Sequence, residues 1–124
     1  MRHKKIKVIN ISELRPKYFS PHGGKGKVMM KFAHSRLKDK GLKSTWNFFG
    51  YAEFPVGSTA GLHTHEDTDE WFFVLSGKAD IVIDNIKLPI KRGDVVLTKS
   101  GSSHDIINVT KKLIFIAIEI EIKK

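Results

Sequence analysis

His63 and His65 stand two residues apart, and on an extended strand such a pair sends both imidazoles from the same face. Five residues further on, Glu70 opens the segment EWFFVLS, whose large apolar side chains read as a buried strand. A carboxylate leading such a strand needs a partner, because an unpaired buried charge is costly. A divalent cation shared by His63, His65 and Glu70 is one such partner. Metal-centred chemistry is therefore the first expectation, and the rest of the chain has to be a frame that holds these side chains together.

The three residues lie in a longer pattern, G-x5-H-x-H-x4-E-x6-G, with Gly57, His63, His65, Glu70 and Gly77 in place. Fifteen residues later a second block begins, G-x5-P-x-G-x2-H-x3-N, matched by Gly93, Gly101, His104 and Asn108, with Lys99 at the proline position. Nine of ten defined positions match over the fifty-two residues from Gly57 to Asn108. This two-part pattern resembles the cupin superfamily, and the short gap between the blocks is similar to that of its compact single-domain members. The resemblance implies an all-β jelly roll, or double-stranded β-helix barrel, with His63, His65, Glu70 and His104 as metal ligands. Lys99 leaves the shape of one corner open but not the ligand set.

The spacing is physically coherent with that reading. Glu70 lies across the acidic turn Glu66 to Asp69 and can approach the point that His63 and His65 face. His104 is remote in sequence, so the barrel must bring the two blocks together. Three imidazoles and one carboxylate suit Mn²⁺, Fe²⁺, Ni²⁺, Co²⁺ or Zn²⁺ better than Ca²⁺ or Mg²⁺. In an octahedral complex four protein ligands leave two positions for water, dioxygen or a chelating substrate, and the ion serves as Lewis acid and template.

Other polar residues receive plainer readings. Glu66, Asp67 and Asp69 read as a solvated turn. Asn108, four residues after His104, reads as a backbone or ligand-supporting contact on the same strand face. His22, in the HGGKG loop, reads as a loop residue, with approach to the site as the alternative. His34, closing a strand, could face the cavity, and His3 reads as a terminal surface residue. Trp46, Phe48, Phe49, Tyr51, Phe72 and Phe115 are first of all core, two or three of them also lining a pocket.

The elements that must carry the site are short strands. Residues 1–26 form an N-terminal strand and loop arm, with the apolar alternation Ile6, Val8, Ile9, Ile11 followed by the breaker-rich RPKYFSPHGGKG. Residues 27–124 form the barrel. Its expected strands are KVMMKFAH, STWNFFGYAEF, the two histidine and glutamate stretches, KADIVIDN, IKLPI, VVLT, SHDIINV and LIFIAIEIEI, about nine strands of four to ten residues. Pro89 places IKLPI at an edge or at a strand end. LIFIA fits a central strand, whereas IEIEI alternates and would keep one face in solvent.

Composition bounds the rest. A chain of 124 residues with 40% hydrophobic content is one domain. It contains no cysteine, which excludes disulfides, thiolate metal sites and a cysteine nucleophile. No signal-peptide core follows the basic N-terminus, and the longest apolar run, Leu113 to Ile118, is far short of a membrane span, so a cytoplasmic protein is expected. The net charge of +9 is uneven: residues 51–77 carry five acids and no Lys or Arg. With 18 Lys to 4 Arg, a lysine-rich solvated surface is favoured over nucleic-acid recognition. That charge would draw anionic small molecules to the site.

These readings converge on a metal-dependent enzyme acting on a small oxygenated or carboxylate-bearing molecule, dioxygenase- or decarboxylase-like. A non-catalytic ligand- or metal-sensing module is the alternative, and a sugar isomerase or epimerase is less favoured because no further histidine is placed by the motif as a general base. A homodimer is expected, paired through sheet edges and the N-terminal strand.

Overall fold

The computed structural model describes residues 8–35 and 45–122. His3 and Ile6 lie outside the described residues. Eight strands are present among the described residues: β1 Lys17–Phe19, β2 Val28–Ser35, β3 Trp46–Phe54, β4 His63–Thr64, β5 Thr68–Ile83, β6 Ile86–Lys91, β7 Val95–Thr98 and β8 Ser103–Glu121. Every pairing is antiparallel.

The strand count falls below the expected nine because β5 runs through the expected break at Gly77 and β8 through the one expected between SHDIINV and LIFIAIEIEI. Gly77 sits inside the 16-residue β5 with φ of 97°, and Asn108 sits inside the 19-residue β8 with φ of 51°. The β5–β8 register slips around Gly77 instead of ending there. Each strand therefore serves two layers. The C-terminal part of β8 lies between β3 and the N-terminal part of β5, which in turn pairs with β7. The N-terminal part of β8 lies between β4 and the C-terminal part of β5, which pairs with β6. This is the jelly-roll arrangement, with β1 and β2 extending the first layer beyond β3.

The two layers close on one apolar core. Phe54, Phe72, Val74, Phe115 and Ala117 come from the first layer, and Ile81, Ile106 and Val109 from the second. Each large side chain so buried contributes about 1.5–3 kcal/mol. The alternation along β5 is regular: Glu70, Phe72 and Val74 point inward while Trp71, Phe73 and Leu75 are exposed. The hairpin from β5 to β6 turns at Asp84 and Asn85, both at positive φ, as a two-residue turn requires. Pro89 lies on β6, an edge strand as expected.

The N-terminal arm is more ordered than its prolines and glycines suggest. Lys17, Tyr18 and Phe19 pair with Met30, Met29 and Val28, so the breaker-rich passage contains a strand. Pro21–Gly23 then form a single 3-10 turn, in which His22 adopts φ 50° and ψ 33°. Before it, Ile11–Glu13 form another 3-10 turn, capped by the Asn10 side chain.

Candidate metal centre

The β4–β8 ladder sets His63 directly opposite His104. The next residue on the same face, His65, follows β4, and Glu70 enters from β5 opposite Thr98 of β7. The two sequence blocks meet here, as the spacing requires. The three Nε2 atoms form a near-equilateral triangle: His63 to His65 3.0 Å, His65 to His104 3.0 Å, His104 to His63 2.9 Å. Glu70 Oε1 lies 3.2 Å from Nε2 of both His65 and His104. One ligand atom from each of the four residues falls within 4.8 Å of all the others.

This geometry fits a cation better than a hydrogen-bond network. His63 Nδ1 is 2.6 Å from the Gly61 carbonyl, which can only accept, so the proton sits on Nδ1 and Nε2 presents a lone pair. His104 Nδ1 is held by Thr98 Oγ1 at 2.8 Å. Imidazole nitrogens ligate first-row metals at about 2.1 Å, and adjacent corners of an octahedron with that bond length lie about 3.0 Å apart. The residues present therefore fit a divalent transition metal of the Mn, Fe, Ni, Co or Zn group.

Surrounding groups fix these side chains. Phe72 stacks against His104 with ring centroids 5.5 Å apart. Glu119 Oε2 lies 3.8 Å from His65 Nδ1, and Asn47 Nδ2 donates to Glu119 Oε1 at 2.7 Å. Such partners orient ligating imidazoles and raise their basicity. Gly61 lets the arm approach: a Cβ there would sit 2.6 Å from the His22 carbonyl oxygen.

The electrostatics follow from this packing. Burial opposes ionisation of Glu70, but hydrogen bonds from His104 and His65, with their charges, outweigh it and hold the carboxyl down to about 2. Burial, reinforced by the other imidazoles, lowers His63 to about 4. His65 moves up, chiefly through its hydrogen bond to Glu70. Glu119 moves up through burial and the proximity of Glu70.

Several sequence expectations need correction. Glu119 belongs to the stretch expected to face solvent, yet it is 6% exposed and lines the cavity. The Ile-Glu alternation showed two faces but not which one was interior; the register Glu70 to Glu119 across β5 and β8 decides it. Asn108 does not share the His104 site. Its positive φ turns it outward, and Nδ2 donates to Asp80 Oδ2 at 2.9 Å. His34 is buried against the Trp46 carbonyl at 3.2 Å and is not part of the cavity wall. Asp69 is more than a solvated turn residue, since Oδ1 accepts from Ser100 N–H at 2.8 Å. With Gly101 N–H donating to the His65 carbonyl at 2.6 Å, the corner at Lys99 is tied down without a proline.

His22 takes its alternative reading. Its ring stacks on His63 with centroids 3.6 Å apart and planes 10° from parallel, and burial lowers its basicity. His22, Asp105 and Glu119 all line the cavity, so groups able to take or give a proton face the site without being placed by the motif. No alternation or motif spacing marks these three; the arm and the layer register bring them in.

Known proteins add an independent line. The Cupin domain family model matches residues 50–120. The chain is 41% identical over 103 residues to a Thermotoga maritima protein named "Oxalate-binding protein", covering 82% of each chain. A Thermotoga maritima crystal structure described as a predicted oxalate decarboxylase superposes with a TM-score of 0.84 at 35% identity, over 94% of this chain and 100% of that one. The structure of KdgF from Halomonas superposes with a TM-score of 0.75 at 14% identity over 95% of this chain and 96% of that one, a likeness of fold alone. With its barrel, its matched family region and these relatives, the chain belongs to the cupin family.

Proposed function

We propose that His63, His65, Glu70 and His104 hold one divalent transition metal and that the protein acts through it on a small carboxylate chelating by two oxygens. The convergence of three Nε2 atoms within 3.0 Å beside the Glu70 carboxylate carries this reading. When bound, the metal supplies Lewis-acid polarisation of the ligated oxygens. The chain supplies the rest. Gly61 and Thr98 fix two imidazoles, Glu119 faces the third, and phenylalanine rings line the adjoining cavity. His22 and Glu119 are placed to hold or deliver a proton beside the ligated substrate. Decarboxylation is the favoured reaction, consistent with the oxalate named for both Thermotoga relatives. The test is product analysis of metal-loaded protein incubated with carboxylates, with CO₂ release and oxygen uptake followed in parallel; oxygen uptake without CO₂ release would mark an oxygenase instead.

A binding role without turnover is the second reading, favoured by the name of the 41% identical relative. It predicts tight, metal-dependent ligand binding and neither product.

We also propose a homodimer, formed through the outer sheet face and not through an edge. Trp71 and Phe73 are 41% and 47% exposed and pair with Ile118 and Ile116 on one side and Leu97 and Val95 on the other. A monomer rarely leaves so continuous an apolar patch in water.

A further inference from the structure

The lining of the cavity around the candidate ligands has a composition that narrows the substrate class, an inference that rests on the metal-binding reading above. The cavity holds about 240 Å³. Phe19, Phe32, Phe48, Phe54, Phe72 and Phe115 contribute to its lining, together with Met30 and Ile106. Its polar groups beyond the four candidate ligands are His22, Asp105 and Glu119, and among the described residues no Lys or Arg lines it.

A dicarboxylate chelating the metal through one oxygen of each group turns its remaining oxygens toward this wall. There they meet phenyl rings and two further carboxyl groups, with the single His22 imidazole as a nitrogen donor and no guanidinium or ammonium among the described residues to pair with. Placing charge against an apolar surface without a partner is unfavourable. An apolar substituent at the same point is favourable, since it displaces water from aromatic surface. Space is sufficient: an apolar protein cavity of about 150 Å³ accommodates benzene, which leaves room here for a chelating head group as well.

We infer that the site takes a 2-oxo or 2-hydroxy monocarboxylate bearing an aryl or branched-alkyl group, whose two oxygens chelate the metal while the substituent fills the phenylalanine-lined chamber. Oxalate shares the chelating head but lacks the part this chamber is built to hold. Phe48, half-buried on β3 at the chamber wall, is a specificity residue that acts on the substituent and not on the metal.

The probes are glyoxylate and phenylglyoxylate, which differ by one phenyl group, together with oxalate. Binding of each to the full-length protein is measured by calorimetry with one equivalent of Mn²⁺ and without metal. Phenylglyoxylate is expected to bind the Mn²⁺ form at least tenfold more tightly than either glyoxylate or oxalate. Phe48→Ala is expected to weaken phenylglyoxylate by threefold or more and to leave glyoxylate unchanged. Metal-dependent binding in which oxalate equals or exceeds phenylglyoxylate overturns the substrate class and leaves the metal site standing. Binding of all three that is indifferent to Mn²⁺ overturns the metal reading and this inference with it. The wild-type ligand series decides the matter even if Phe48→Ala does not fold.

Discussion

Glu70 and Glu119 face each other directly across the β5–β8 ladder, each only 6% exposed, with the His65 imidazole between them. Like charges directly opposite on a sheet are destabilising. The pairing is therefore kept at a cost to the metal-free fold, and a cation at the imidazole cluster would offset it. The charges divide accordingly, with Glu70 held at about 2 and Glu119 pushed up.

Glu119→Gln keeps the shape and an acceptor for Asn47 while removing one of the opposed charges. The metal-free variant is expected to be more stable by about 1 kcal/mol, a rise of roughly 4 °C in Tm. Its metal affinity is expected to fall about tenfold, because His65 loses its carboxylate partner. Paired melting curves with and without metal check both signs; a variant weakened in both states would contradict the account.

Thr98→Val removes the hydroxyl that holds His104 Nδ1, at a position 1% exposed, with little change in volume. Loss of a ligand-orienting partner costs about 10–100-fold in metal affinity. Competition titration against a chelator measures it. Unchanged affinity would mean that Phe72 alone orients His104.

His22 can be separated into its ring and its nitrogens. His22→Ala is expected to retain the metal but to lose both the stacked contact with His63 and a polar group at the substrate. His22→Phe restores the stacking, worth about 0.5–1.5 kcal/mol, without the nitrogens. If His22 handles a proton, kcat stays low in both variants, whereas recovery of kcat in His22→Phe would assign it to positioning.

Metal affinity should depend on pH through His65. Ligation needs neutral imidazoles. His63, lowered to about 4, is already neutral near pH 7 and costs nothing to ligate. His65 is raised above the ordinary histidine value by Glu70, so it keeps a competing proton to higher pH than a free imidazole. Affinity is therefore expected to fall about tenfold per pH unit as the pH drops through the raised His65 value, with His63 adding to the slope only near pH 4. A titration series that is flat between about pH 5 and about pH 7 would contradict this assignment.

The residues legible in the sequence are those whose role depends on local spacing. His63, His65 and Glu70 announce themselves within eight residues, and His104 becomes visible once the second block is recognised. EWFFVLS read as a buried strand, but its run of apolar residues did not mark the interior face: Glu70, Phe72 and Val74 point inward, and Trp71, Phe73 and Leu75 are exposed. Residues that depend on register across strands were not visible: Glu119 looked solvent-facing, Asn108 looked like a supporting contact on the His104 face, and His34 was not distinguishable from a cavity histidine. The expected breaks at Gly77 and after Val109 fall inside continuous strands, because positive φ at Gly77 and Asn108 bends a strand without ending its pairing. His22 depended on where an arm of sequence-distant residues would dock.

The central claim is most directly tested by the metal content of protein purified without chelator, alongside His104→Ala checked for retained β-sheet structure by circular dichroism. The account predicts about one divalent transition-metal ion per wild-type chain and less than about a tenth of that in folded His104→Ala. A folded His104→Ala that keeps the wild-type metal content, or a wild-type chain that takes up none when the ions are supplied in excess, would contradict it.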